Sequence, residues 1–188
     1  MSKINRFRNL PNLITAVRFL LTALLAVLLM FEQTLTIAFL SWFVFTIAAS
    51  TDWVDGYVAR RYEAVTVLGK LMDPLADKVL VTAALIMLIP LGRLPAWVAL
   101  VILSREMMVT GLRGVASASG VVVAASGLGK IKSIMQYIGL GTLIFPLGLV
   151  PIPYLHQIGL GLVYVALVLT VWSGLDYFYK LRSVFLED

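Results

Sequence analysis

Apolar residues run along this chain in long blocks, and polar or turn-forming residues interrupt them at only a few places. The blocks fall at residues 12–31, 35–60, 70–91, 95–119, 127–150 and 155–180. The interruptions are Glu32-Gln33, Gly92-Arg93-Leu94-Pro95, Gly120 with Ser126-Gly127, and Pro151-Ile152-Pro153, each a polar step or a helix breaker. A helix of about 20 mostly apolar residues crosses the hydrocarbon core of a bilayer. The pattern therefore predicts an all-α integral membrane protein with six transmembrane helices, a single domain over residues 1–188. No interval leaves room for a soluble domain, and no internal repeat or low-complexity stretch stands out.

Composition agrees with this. The chain is 61% hydrophobic and 13% charged, whereas soluble domains are roughly half apolar and a quarter charged. Cysteine is absent, which excludes disulfides and thiolate metal ligands. The net charge of +5 matters through its placement. Lys3, Arg6, Arg8, Arg60, Arg61, Lys70, Lys130, Lys132, Lys180 and Arg182 fall on one side of the predicted topology. Arg93, Glu32 and His156 fall on the other. The positive-inside rule then makes both termini and the second and fourth connections cytoplasmic.

Residues 1–9 resemble a signal-peptide n-region, but the apolar run after them is too long and lacks a small-x-small cleavage site. They read as a short interfacial basic segment held at anionic headgroups. Trp42, Trp53, Trp97, Tyr154, Trp172, Tyr177 and Tyr179 lie near predicted helix ends and read as an interfacial belt. His156 reads as a solvated loop residue, and Asp176 with Lys180 as a helix-end ion pair.

Against this background Asp52, Asp55, Asp73 and Asp77 are out of place. At about 100° per residue, Asp52, Asp55, Gly56, Ala59 and Arg60 share one face at the end of the second helix. Gly69, Asp73 and Asp77, spaced by four, share a face at the start of the third. The connection between these helices is short, so they are expected to be antiparallel neighbours whose faces meet.

Converging carboxylates repel one another and lose hydration, which is unfavourable without a counter-charge. Pairing with Arg60, Arg61, Lys70 and Lys78 is one solution, although long basic side chains can instead snorkel to the headgroups. An all-oxygen donor set without His or Cys suits Mg²⁺ or Mn²⁺ better. Gly56, Ala59 and Gly69 leave a notch where a bulky group could approach the backbone, and Arg60 could neutralise a phosphate. Close helix packing through small residues accounts for any one of them alone. Taken together, metals, notch and cation suggest a nucleotide ligand bearing a pyrophosphate.

Written as D-x2-D-G-x2-A-R-x8-G-x3-D-x3-D, this stretch resembles the signature of the CDP-alcohol phosphotransferase family at all eight positions. The resemblance implies a six-helix membrane enzyme, a homodimer, with two metal ions held by Asp52, Asp55, Asp73 and Asp77. It implies that Asp77 is also the catalytic general base. Gly56, Ala59, Arg60 and Gly69 would line the CDP site, joined by Asn12 and Thr15 from the "PNLITAVR" block. Arg18, in the same block, reads as an arginine snorkelling to the interface.

Arg105, Glu106 and Arg113 lie within an otherwise apolar span, where ionisable groups are functional by default; an Arg105–Glu106 structural pair is the alternative. "GKIKSIMQ" brings Lys130, Lys132 and Gln136 to the cytoplasmic start of the fifth helix. Arg105, Arg113, Lys130 and Lys132 would form a basic pocket suited to an acceptor that carries its own phosphate.

The resemblance is closest to those bacterial family members that take CDP-diacylglycerol as donor and glycerol 3-phosphate as acceptor. Met72 in place of Leu and Ser133 in place of Thr are the departures. No nucleic-acid role is implied. Other acceptors remain open, as in cardiolipin, phosphatidylserine or phosphatidylinositol synthesis. An intramembrane prenyltransferase would share the Asp-rich helices, and a cation transporter could use the acidic cluster as its ion site.

Overall fold

The computed structural model describes residues 10–62, 67–118, 127–146 and 150–186; side chains at 10–12, 52–71, 73–74, 117–118, 127–128, 180–181 and 183–186 lie outside the description. Among the described residues there are six helices: α1 (Leu10–Met30), α2 (Leu35–Tyr62), α3 (Val67–Leu88), α4 (Ala96–Ala118), α5 (Gly127–Ile144) and α6 (Leu155–Leu186). The expected blocks are thus all helical. The fifth stops at Ile144 rather than 150, because Pro146 lacks an amide donor and disfavours helical geometry at Phe145. The sixth runs on to Leu186.

Local chemistry sets the ends. Thr34 caps α2 through its side-chain oxygen, which accepts from the Ile37 amide at 3.4 Å. After α3, Gly92 takes a positive φ of 66°, and Arg93 donates its backbone amide to the Leu88 carbonyl at 3.1 Å. The Arg93 side chain then caps another helix. Its Nη1 donates to the carbonyls of Leu143, Ile144 and Phe145 at 3.0, 3.2 and 3.3 Å, at the C-terminal end of α5. That interaction gives the Arg93 guanidinium a structural partner at this end of the bundle.

α1 packs along both α2 and α3, while α2 and α3 touch each other less extensively. The two acidic helices are in contact, and the faces that carry the acidic motif lie largely outside the described side chains. The inward stripe of α1 is Thr15, Arg18, Thr22, Leu25 and Leu29, a 3-4-3-4 spacing that keeps one face buried. α5 and α6 form the most extensive pair, and α4 leans on α6. Leu25, Phe45, Leu85, Ile102, Leu143 and Val163, one from each helix, meet in a common core.

The outward faces are apolar too. Leu20, Met30, Leu100, Val168 and Leu175 are each about two-thirds exposed or more, the reverse of a soluble surface. Buried Thr22, Ser41, Thr170 and Ser173 return their hydroxyls to the carbonyl four residues earlier, at 2.6–2.8 Å, so no polar atom of theirs is stranded. By length and composition, 13–30 of α1 and 155–179 of α6 suffice to cross a membrane among the described residues. Of the aromatic belt, Trp97, Tyr154, Trp172 and Tyr179 are exposed, but Tyr177 is buried. Trp42 packs edge-on against Phe145, ring centroids 5.5 Å apart.

Candidate active site

The aspartate motif lies on the last turns of α2 and the first half of α3. Side chains of Asn12, Asp52, Asp55, Gly56, Ala59, Arg60, Gly69 and Asp73 lie outside the described residues. Asp77 is described, and it anchors the site. Its Oδ1 accepts a hydrogen bond from the Tyr137 hydroxyl on α5, two elements away in the chain.

α5 brings the second group of residues. Lys132 and Gln136, four apart, face inward and are 6% and 3% exposed, while Lys130 is exposed. The Lys132 ammonium donates to Glu106 Oε1 on α4. Arg105 Nη1 reaches the same oxygen at 3.0 Å, and its Nη2 donates to Ser173 on α6 at 2.8 Å. Gly174 makes room for this arginine: a Cβ there would stand 3.1 Å from Arg105 Cγ. One carboxylate thus pairs with two cations in a partly buried network. The Arg105–Glu106 pair foreseen as an alternative is present, and Lys132 completes it.

Asp77, Lys78, Glu106, Lys132, Gln136 and Tyr137 share the wall of one cavity of about 50 Å³. Lys78 is tied to the Thr110 hydroxyl on α4. The four expected basic residues divide into two sets. Lys132 lines the cavity, and Arg105 stands behind Glu106. Arg113 is exposed with its guanidinium 5.7 Å from the Tyr177 ring, and Lys130 is exposed on the first turns of α5. A second cavity of about 590 Å³ lies between α2 and α5, lined by Trp42, Phe45, Ala49, Ile138, Phe145 and other residues. Among the described residues its lining holds no charged group, and Tyr137 borders both spaces.

Arg18 does not snorkel. It is fully buried on the inward stripe of α1, and its Nε donates to Thr51 Oγ1 at 3.2 Å, one residue before Asp52. Thr15, one turn earlier, is also buried. Nothing in the sequence marked Tyr137 as a partner of Asp77. The signals available were its position one residue after Gln136 and a hydroxyl that needs a partner on a helix with few polar atoms.

A model of the CDP-alcohol phosphatidyltransferase family matches residues 8–172 of the chain. The CDP-diacylglycerol–glycerol-3-phosphate 3-phosphatidyltransferase of Bacillus subtilis is 42% identical over 186 residues, covering 92% of this chain and 94% of that protein. Its namesake in Rickettsia typhi is 35% identical over 178 residues, covering 95% and 99%.

Proposed function

This chain belongs to the CDP-alcohol phosphatidyltransferase family, and from that membership we propose that it transfers the phosphatidyl group of CDP-diacylglycerol to glycerol 3-phosphate. The products are phosphatidylglycerol phosphate and CMP. The relatives named above carry that donor and acceptor in their names. The observation that carries the reading in this chain is the juxtaposition of Asp77 with the cation of Lys132 in one cavity. A proton acceptor then lies beside a group that can hold the acceptor's phosphate.

The acceptor's terminal hydroxyl oxygen attacks the β-phosphorus of the donor. The bond from that phosphorus to the bridging oxygen of CMP breaks, CMP leaves with the electron pair, and the hydroxyl proton passes to the Asp77 carboxylate. Tyr137 fixes the orientation of that carboxylate through its hydrogen bond. Lys132, with Arg105 behind it, receives the acceptor phosphate, while Arg113 and Lys130 at the same end of the bundle add long-range attraction for an anion.

Asp52, Asp55, Asp73 and Asp77 would hold two divalent cations, Mg²⁺ or Mn²⁺. The described donors fit hard cations, since Asp77 offers carboxylate oxygens at a cavity without a sulfur or imidazole ligand among its described lining residues. Bound there, the metals would offset the diphosphate charge and the charge developing on CMP. Gly56, Ala59, Arg60, Gly69, Asn12 and Thr15 would form the CDP side, and the apolar cavity between α2 and α5 suits an acyl chain.

The topology that accompanies this chemistry has six spans with both termini and the active site cytoplasmic, in the inner membrane of a bacterium, as a homodimer. Apolar outward faces and the one-sided distribution of Lys and Arg support it.

The test is CMP release by the purified protein in detergent with CDP-diacylglycerol and Mg²⁺ or Mn²⁺. Glycerol 3-phosphate, phosphatidylglycerol, serine and inositol are supplied in separate reactions. Release with glycerol 3-phosphate alone is expected. Release with a different acceptor would keep the donor chemistry and overturn the role given to Lys132.

A further inference from the structure

Gln136 has a property that the transfer chemistry above does not use. It is 3% exposed, yet its Nε2 makes no hydrogen bond, although it borders the cavity shared by Asp77 and Lys132. A buried amide donor left unmade is costly, and such groups are rare unless something else satisfies them. Helix geometry gives the relation to its neighbours. Gln136 is one turn beyond Lys132 on the same face of α5, so their Cβ atoms are about 5–6 Å apart, and it adjoins Tyr137, which holds Asp77.

A cavity of about 50 Å³ has room for roughly three to five waters at about 10–15 Å³ each. That is the scale of a three-carbon polyol, not of a nucleotide. Gln136 lines the same cavity as Lys132 and Asp77, and a glycerol phosphate with its phosphate at Lys132 and its reacting hydroxyl at Asp77 has only its middle hydroxyl left to offer the amide.

We propose that Gln136 is the specificity-determining residue for the acceptor's carbon chain, donating its Nε2 hydrogen to the middle hydroxyl oxygen of a glycerol phosphate. The assignment rests on the acceptor reading given under the proposed function. It deepens that reading by separating recognition of the phosphate, at Lys132, from recognition of the polyol, at Gln136. A phosphorylated alcohol without the middle hydroxyl would leave the amide buried and unmatched, and that mismatch discriminates against it.

The experiment compares kcat/KM for glycerol 3-phosphate and for 3-hydroxypropyl phosphate, which keeps the phosphate and the terminal hydroxyl but lacks the middle one. Full-length protein in detergent is used, wild type and Gln136→Met, with KM for CDP-diacylglycerol as the control for an intact donor site. The wild type is expected to prefer glycerol 3-phosphate by about 10- to 100-fold, the scale of one buried hydrogen bond. Gln136→Met is expected to fall to the wild-type level on the deoxy substrate, to show no preference between the two, and to keep its KM for the donor.

Equal use of both acceptors by the wild type, or an undiminished preference in Gln136→Met, overturns the assignment. Should Gln136→Met not fold, Gln136→Asn withdraws the amide by one methylene. A reduced preference there supports the assignment and a full one overturns it. Absence of CMP release with glycerol 3-phosphate in the wild type is a failure of the acceptor reading itself. It is seen before any variant is made, and it takes this inference with it.

Discussion

Tyr137 donates its hydroxyl to the carboxylate of Asp77, 60 residues earlier in the chain, and so joins α5 to the acidic motif on α3. A hydrogen bond to a charged acceptor contributes about 1.5–3 kcal/mol. Tyr137→Phe is therefore expected to lower kcat by about tenfold, through a less well held carboxylate, with KM for the CDP-linked donor unchanged. Asp77→Asn removes the proposed proton acceptor and should cost at least about a hundredfold. Steady-state CMP release separates the two, and an inert Tyr137→Phe would remove the positioning role.

Glu106 neutralises two cations, and removing it leaves both facing a low-dielectric interior. Glu106→Gln is expected to destabilise the protein by about 1–3 kcal/mol, between the values for exposed and fully buried pairs. Lys132→Met should relieve part of that loss, so the double variant is more stable than the sum of the singles. Thermal unfolding in detergent measures all four corners of this cycle. Strict additivity would mean that the contact between Lys132 and Glu106 adds nothing to stability.

The two sets of basic residues should behave differently towards the acceptor. Lys132→Met is expected to raise KM for glycerol 3-phosphate by roughly 10- to 100-fold, since a buried charged contact is lost. Lys130→Ala and Arg113→Ala, which alter exposed side chains, should change it by no more than about threefold, and less at high salt. Larger, salt-resistant effects of the exposed pair would place them against the bound phosphate.

Chelation gives a sharp outcome. EDTA should abolish CMP release, and Mg²⁺ or Mn²⁺ should restore it, because the four carboxylates proposed as metal ligands would otherwise repel both one another and the donor's diphosphate. Activity that persists in excess chelator would remove the metals from the proposed chemistry.

Gly139 sets the approach of α5 to α6. A Cβ there would stand 2.8 Å from Val163 Cγ2 and 3.1 Å from the Val163 backbone nitrogen. The side chain could rotate away, but the backbone contact would force the helices apart. Gly139→Ala is expected to lower stability by about 1–3 kcal/mol while kcat of the folded fraction is retained. An unchanged unfolding temperature would show that the helix pair yields without cost.

Part of the candidate site is local enough to be read from spacing. Lys132 and Gln136 are neighbours on one helix, where the 3.6-residue period decides which side chains share a face, and both are buried. The Arg105–Glu106 contact is between adjacent residues. Arg18 shows where such reading fails. A lone arginine on an apolar helix can snorkel or turn inward, and spacing does not decide between them; the helix that packs on it does. The same holds for Arg93, whose role depends on carbonyls about 50 residues later.

The sequence by itself determined the six helices, their approximate ends and the motif that places the chain in its family, because helix length, breakers and periodicity are properties of consecutive residues. Only the tertiary structure decided that α1 packs along both α2 and α3, that Glu106 meets Lys132, and that Tyr137 meets Asp77. The physical reason is the solvent. Lipid chains accept an apolar helix face about as well as another helix does, so hydrophobicity along the chain does not say which face turns inward. Polar atoms that need partners, and glycines that permit close approach, settle the arrangement, and both act between residues far apart in sequence.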